Sequence, residues 1–302
     1  MNTIDINKLQ ATLLSYEQIN GAKRLKIFDI FDVKATPSDF AILLGAYIMD
    51  NYRTYDNYRL EHRFGYYWTK TSDEYDNAII VRPDGSSIGE DLDWRDFGTR
   101  PVLSYSLIAN ESKIIKNLED KVLEIEYGEY PKKAATLEVQ TILNSLYNSG
   151  RLLKTGRYYT TDSRKYNKYN DDFQAIKHIE YEYNNKKYIR VKANSCFDGY
   201  KFTLSNEQKY CDGDYVWVEV MPIRWLVDKE NNIAVSKNLL FSGIQFDNKK
   251  RYKGNFEDTI MYMFLNRYFI KEIMQCYNIK DENREQVEEL FSQKIYSRVK
   301  KP

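Results

Sequence analysis

The stretch Ile179-Glu180-Tyr181-Glu182-Tyr183-Asn184-Asn185-Lys186-Lys187-Tyr188-Ile189-Arg190-Val191 decides the fold. Ile179, Tyr181 and Tyr183 alternate with polar residues, the two-residue period of a strand with one buried face. Tyr188, Ile189 and Val191 resume the apolar pattern beyond Asn184 and Asn185, and paired asparagines tolerate the positive φ of a tight turn. A β-hairpin is predicted. With helical patterns before and after it, the expected class is α+β, built from short antiparallel sheets and packed helices.

Downstream, Val216–Val220 and Ile223–Val227 read as strands flanking Pro222, which implies an edge position or a break. Asp228–Asn232 then turns the chain into Ile233–Ser236. Upstream, Leu123–Tyr127 reads as a strand and Tyr127–Pro131 as a turn. Tyr66–Thr69, Ala78–Arg82 and Pro101–Ser104 are earlier strands, with Pro83-Asp84-Gly85 as a tight turn joining the second to the following loop. A further strand is expected over Leu25, Ile27, Phe28 and Ile30.

Helices carry their own signals. Thr36-Pro37-Ser38-Asp39 forms a capping-box start, and Phe40, Leu43, Leu44 and Tyr47 at helical spacing predict a helix over 37–49. Thr136 caps a helix with an apolar face of Leu137, Ile142, Leu143, Leu146 and Tyr147, and Gly150 stops it. Thr259–Asn266 continues, after an offset, through Ile270–Tyr277. A last helix over Glu282–Val299 carries the stripe Val287, Leu290, Phe291, Ile295. The polar run 109–122 is the expected lobe boundary, dividing the chain into lobes 1–118 and 119–279 and a terminal helix 280–302.

Composition excludes several classes. Basic and acidic residues nearly cancel to a formal charge of +1, so no overall field favours nucleic acid or an anionic membrane. The chain has 3 cysteines, an odd number too small for a disulfide framework, which fits a reducing compartment and a cytoplasmic protein. No run of apolar residues reaches the length of a membrane span. Tyrosine is the outlier, with 27 residues: it supplies rigid amphipathic contact area to binding surfaces, and it also rises with AT-rich codon usage.

Two blocks of motifs carry a resemblance. The first holds Tyr66-Tyr67-Trp68-Thr69-Lys70-Thr71, Val81–Gly85 (VRPDG) and Gly98–Leu103 (GTRPVL). The second holds Tyr127–Pro131 (YGEYP), Pro222–Val227 (PIRWLV), Ala234–Leu240 (AVSKNLL) and Phe264–Phe269 (FLNRYF). Together, over Ser38–Ile273, they resemble a bacterial and prophage family without an assigned activity, whose usual order places the YGxYP part first. Here the two parts are exchanged. Trp68, Trp94, Arg100 and the Phe97–Pro101 segment look like the framework of C-type-lectin-like and formylglycine-generating-enzyme-like folds. The resemblance implies two closely packed, lectin-like halves, a prophage or mobile-element origin, and a recognition role. Its enzymatic branch implies a thiol pair at Cys196 and Cys211.

Read from the residues themselves, Arg100 between Gly98-Thr99 and Pro101 needs a carboxylate or carbonyl partner once buried, so Trp68, Arg100 and Trp225 are assigned to the structural framework. Only His62 and His178 exist, neither near a cysteine, which excludes zinc sites of ordinary spacing. Asp212-Gly213-Asp214 lacks the further ligands of a calcium loop and reads as a turn. No glycine-rich nucleotide loop occurs. One run mixes basic and aromatic residues: Arg157, Arg164 and Lys165 interleave with Tyr158, Tyr159, Tyr166 and Tyr169. These seven are the candidate binding residues. The expectation is a non-enzymatic recognition protein without catalytic residues, metal or cofactor, binding another protein through aromatic-rich loops. Nucleic acid is the weaker alternative partner, and no membrane is involved. The other readings are an inhibitor of a host or anti-phage defence enzyme, and a thiol oxidase using Cys196 and Cys211.

Overall fold

The turn at Asn184 and Asn185 closes as its sequence predicts: their φ angles are 49° and 58°, the conformation that a two-residue type I′ hairpin requires. In the computed structural model, which describes residues 9–48, 63–163, 173–194 and 202–276, this hairpin sits inside a larger antiparallel sheet. Short helices α1 (Tyr16–Ile19), α2 (Ile27–Ile30) and α3 (Asp39–Leu43) precede a meander of β1 (Tyr67–Ser72), β2 (Ala78–Val81) and β3 (Ser87–Glu90). Then come β4 (Val102–Ser104), α4 (Tyr105–Ile108), β5 (Lys113–Glu119), β6 (Val122–Ala134), α5 (Leu137–Asn148), β7 (Leu153–Asp162), β8 (Ala175–Tyr183) and β9 (Lys186–Lys192). A small ribbon, β10 (Phe202–Thr203) with β11 (Lys209–Tyr210), leads into β12 (Tyr215–Asp228) and β13 (Ile233–Ser236). The described chain closes with α6 (Ile260–Phe264), a π turn (Leu265–Phe269) and α7 (Ile270–Ile273).

β12 is the centre of the sheet. β6 pairs along one of its edges, while the other edge takes β9 beside its first half and β13 beside its second. β8 and β7 extend the sheet beyond β9, β4 extends it beyond β13, and β5 lies outside β6. Of the two expectations for Pro222 the break is corrected and the edge position holds locally: Pro222 lies within a continuous strand, registered with Glu129 of β6 on one side and in the gap between β9 and β13 on the other. Proline has no N–H to give the ladder, and the register shifts between Pro222 and Arg224. The same shift absorbs the expected turn at Tyr127–Pro131, which is part of β6. Core membership shows what the irregularity does. Val216, Val218 and Val220 share the main core with Ile223, Trp225 and Val227, so the inward phase changes over Met221–Pro222. Across the ladder it changes from Leu123, Ile125 and Tyr127 to Tyr130. Tyr127, skipped by the register, gives its carbonyl to Trp225 Nε1 (2.8 Å).

Three other expectations meet different elements in the structure. Leu25–Ile30 forms the short helix α2 and no strand; Ile27 and Phe28 are buried in one helical turn. The helix expected over 37–49 is only Asp39–Leu43, capped by Ser38, whose hydroxyl accepts from Ala41 N (3.0 Å). Pro37 instead bridges in parallel to Leu239, and Gly45 at φ 98° follows the helix. The expected boundary at 109–122 is occupied by β5, which pairs with β6. β4, from the first expected lobe, pairs with β13 of the second, so one sheet draws on both. The helix expected over Glu282–Val299 lies outside the described residues.

The expected cap and stop of α5 hold: Thr136 Oγ1 accepts from Val139 N (3.4 Å), and Gly150 follows at φ 69°; of the expected apolar face Leu143 is buried, while Leu137 and Tyr147 are exposed. The closing helix also keeps its predicted offset, as the π turn, which leaves Phe264, Leu265, Phe269, Ile270 and Ile273 all buried. This helix packs on β6 at Gly128. A Cβ there would stand 3.0 Å from both Cβ and O of Ile273, and Gly128 has φ 68°. Gly156, in β7, has φ 85° but nothing within 4 Å. Gly156→Ala is expected to cost about 1–2 kcal/mol from backbone strain alone, and Gly128→Ala about 1–3 kcal/mol more, because the helix must move. Denaturant midpoints of the two variants measure the difference; equal losses would mean that the helix does not seat on Gly128.

Candidate functional site

Strand β9 and the start of β12 place Arg190 and Tyr215 on the sheet face that α5 partly covers. α5 is fixed there by Gln140, whose side-chain amide accepts from Trp217 N and donates to Trp217 O, both at 2.8 Å. Leu143 packs with Tyr181, Tyr188 and Trp217 beneath it, and Trp217 Nε1 donates to Asn144 Oδ1 (2.9 Å). In the last turn, Tyr147 sets its ring edge-on to Tyr181 and Trp217, at 5.8 and 5.7 Å. Arg190 then lies between two rings, its Cζ 4.7 Å from the centroid of Tyr147 and 4.1 Å from that of Tyr215. Such contacts hold a guanidinium through the ring quadrupole. Among the described residues the guanidinium has no hydrogen bond or ion pair, and Nε alone of its nitrogens is sealed from solvent. Tyr147 is 38% exposed and Tyr215 50%, and Ile179, beyond the registered pair Glu180–Ile189 on the same side as Arg190, is also exposed.

The residues singled out from sequence lie elsewhere. Arg157, Tyr158 and Tyr159 belong to β7, a strand and not a loop; Arg164, Lys165, Tyr166 and Tyr169 lie outside the described residues. Tyr159 is fully buried and cannot meet a partner. Its hydroxyl donates to Glu180 Oε2 (2.9 Å), and burial, then the Glu180 charge, holds it above its ordinary pKa. Arg157 is taken by two acids, Glu129 at 3.1 Å and Glu180 at 3.4 Å, and Lys187 also meets Glu129 (2.6 Å). Tyr158 is half-buried with Lys177 Nζ 4.0 Å over its ring. Of the described residues in that run, Arg157 and Tyr159 thus belong to an internal ion network.

The three residues assigned to the framework are all buried. Trp68 and Trp225 are fully buried. Arg100, also buried, donates to the carbonyls of Ser236 and Val33, both at 2.9 Å, beneath the rings of Phe28 and Tyr67. His178 is a packing residue: burial lowers its pKa, and its ring meets Thr161 Oγ1 (2.8 Å) and Arg190 O (3.3 Å). Asp212-Gly213-Asp214 is a turn, with Gly213 at φ 88° and Asp214 accepting from Cys211 N (2.8 Å). Cys211 is exposed and free, while Cys196 and His62 lie outside the described residues. The described residues hold no group of three or more acids, histidines or cysteines able to bind a metal. None of their helices is long and apolar enough to cross a membrane.

One buried acid remains. The Thr160 amide on the outer edge of β7 donates to Glu272 Oε1 (2.7 Å). Glu272 Oε2 has no partner, nor has the nearby buried hydroxyl of Tyr130, whose pKa burial and then Glu272 raise. Burial pushes Glu272 up to about 8. The group braces the closing helix against the sheet edge.

Sequence reasoning missed Arg190, Tyr147 and Tyr215. The one signal was a charge on the tyrosine-bearing face of the predicted hairpin, two residues from Tyr188. No protein-family model matches the chain, and no curated protein or solved structure matches it.

Between its ordinary 4.5 and about 8, Glu272 keeps in the folded chain a proton that the unfolded chain has released. Stability therefore declines as pH rises through that window. Glu272→Gln keeps the acceptor for Thr160 and removes the titration. Urea unfolding from pH 5 to 9 is expected to show a flatter pH dependence for the variant, which overtakes the parent at the alkaline end. Asp96, pushed up to about 7 by burial, acts in both proteins and cancels in the difference. Parallel curves would refute the assignment.

Proposed function

We propose that the chain is a non-enzymatic recognition protein, and that its partner is another protein docking on the surface of Tyr147, Arg190 and Tyr215. The observation that carries this reading is two exposed tyrosine rings fixed on either side of an unpaired guanidinium. Tyrosine and arginine dominate binding hot spots, because they bring large contact area and directed hydrogen bonds at small entropic cost. Here both are already ordered by α5 and the sheet, which reduces the cost of binding further.

On the same sheet face Lys186 is held by Glu219 (2.9 Å), while Lys154, across from Tyr181, and Lys192, across from Tyr215, carry no ion pair among the described residues, so the nuclease arm of the test decides between a protein and nucleic acid. The lectin-like relationship and the mobile-element origin suggested by the motifs belong to the same proposal: a rigid frame whose accessory surface, and not a reaction centre, carries the activity.

The test is affinity capture from a lysate of the protein's own source, with and without nuclease, using the parent and Tyr215→Ala. Tyr215 is half exposed, so its loss should leave the melting temperature near that of the parent. A stoichiometric, nuclease-resistant protein whose recovery falls at least about tenfold in the variant is the expected result. Equal recovery by the variant, or a partner lost to nuclease, would overturn the reading.

A further inference from the structure

We infer that Arg190 takes a single carboxylate, from an aspartate or glutamate of the docking protein, across its two terminal nitrogens. The inference deepens the proposed recognition role and rests on it. A guanidinium presents its donors in one plane, so stacked rings leave only its edge for hydrogen bonding. At Arg190 the rings of Tyr147 and Tyr215 occupy the flanks, and Nε is sealed without a partner. The terminal nitrogens therefore form the part that an incoming group can reach. Their spacing matches the two oxygens of a carboxylate, the arrangement that gives charge-assisted pairs both strength and direction.

The described neighbours supply no acid of their own. Trp217 stands across the ladder from Arg190 and Tyr188 from Glu219, and Glu219 is already paired with Lys186. Lys192, next on that face of β9, has its Cε against Gly213, between Asp212 and Asp214. The site thus offers the planar fork of Arg190, with Lys192 opposite Tyr215 as a further cation on the same face; the fork matches the two oxygens of a carboxylate. The rings add to the effect: they exclude water from the flanks, which strengthens an ion pair formed at the edge, and they hold the side chain in place before the partner arrives.

A displayed library of random dodecapeptides, selected on the full chain, tests this whatever the natural partner is, and it contains no phosphate. Selected peptides are expected to share an Asp or Glu flanked by apolar residues. Changing that acid to Asn or Gln should weaken binding about tenfold, and Arg190→Gln should weaken the parent peptide by the same factor. Combining both changes should cost no more than either alone, the mark of a direct pair. Arg190→Lys, which keeps the charge and loses the fork, should recover only part of the affinity. Melting temperatures confirm that each variant is folded. Peptides that bind in a Tyr215-dependent way but tolerate the acid-to-amide change would overturn the carboxylate assignment and leave the recognition surface standing. If no selected peptide depends on Tyr215, the surface itself is wrong, and the inference falls with it.

Discussion

Backbone N–H and C=O groups that no sheet ladder takes must still find partners, and this protein meets that obligation three times with the same device. Gln140 bonds both backbone groups of Trp217. Asn266 does so for Ala11, at 2.9 Å each way, and Gln275 for Tyr158, at 3.1 and 2.8 Å. In each case a side-chain carboxamide offers one acceptor and one donor, as a neighbouring peptide group would; Ala11 lies outside the named strands, and Trp217 O also accepts from Ala135 N (2.9 Å). The helices are thereby fixed in register on the sheet, which apolar packing alone does not specify. An edge with exposed donors also invites pairing with other chains. Gln275, with Glu272 on Thr160, closes that route along the middle of β7.

The same economy of backbone bonding explains β12. Its inward residues change phase over Met221–Pro222, and β6 changes phase opposite, where Gly128 takes a positive φ. One irregularity thus serves three needs: it accommodates a proline inside a sheet, frees the Tyr127 carbonyl for Trp225, and opens the space into which Ile273 of the closing helix fits. The bulged pair is the hinge between the sheet and the helix that protects its edge.

How much of this was legible depends on range. The Asn184–Asn185 hairpin, the capped helix α5 and the offset in the closing helix were readable because neighbours in sequence determine them. The sequence also contains the phase change, as Val216-Val218-Val220 followed by Ile223-Trp225-Val227, but a single chain does not distinguish a bulge from a break when the paired strand lies far upstream. Leu25–Ile30 misled for the opposite reason: four apolar residues fit either period, and packing onto β12 chose the helix. The binding residues suffered most. Arg157 and Tyr159 alternate as they would in a solvated loop, and only the arrival of Glu129 and Glu180 from other strands makes them interior. Arg190 became visible only when α5 brought Tyr147 over β9.

The exposure of that arginine follows from where α5 stops. Tyr147 sits in the last turn, and Gly150, at positive φ, reverses the chain immediately afterwards into β7. A further turn in the same direction would carry backbone and side chains across the face that Tyr147 and Tyr215 now frame. The stop signal that the sequence announces at Gly150 fixes the extent of the core and, with it, the boundary of the surface left for a partner.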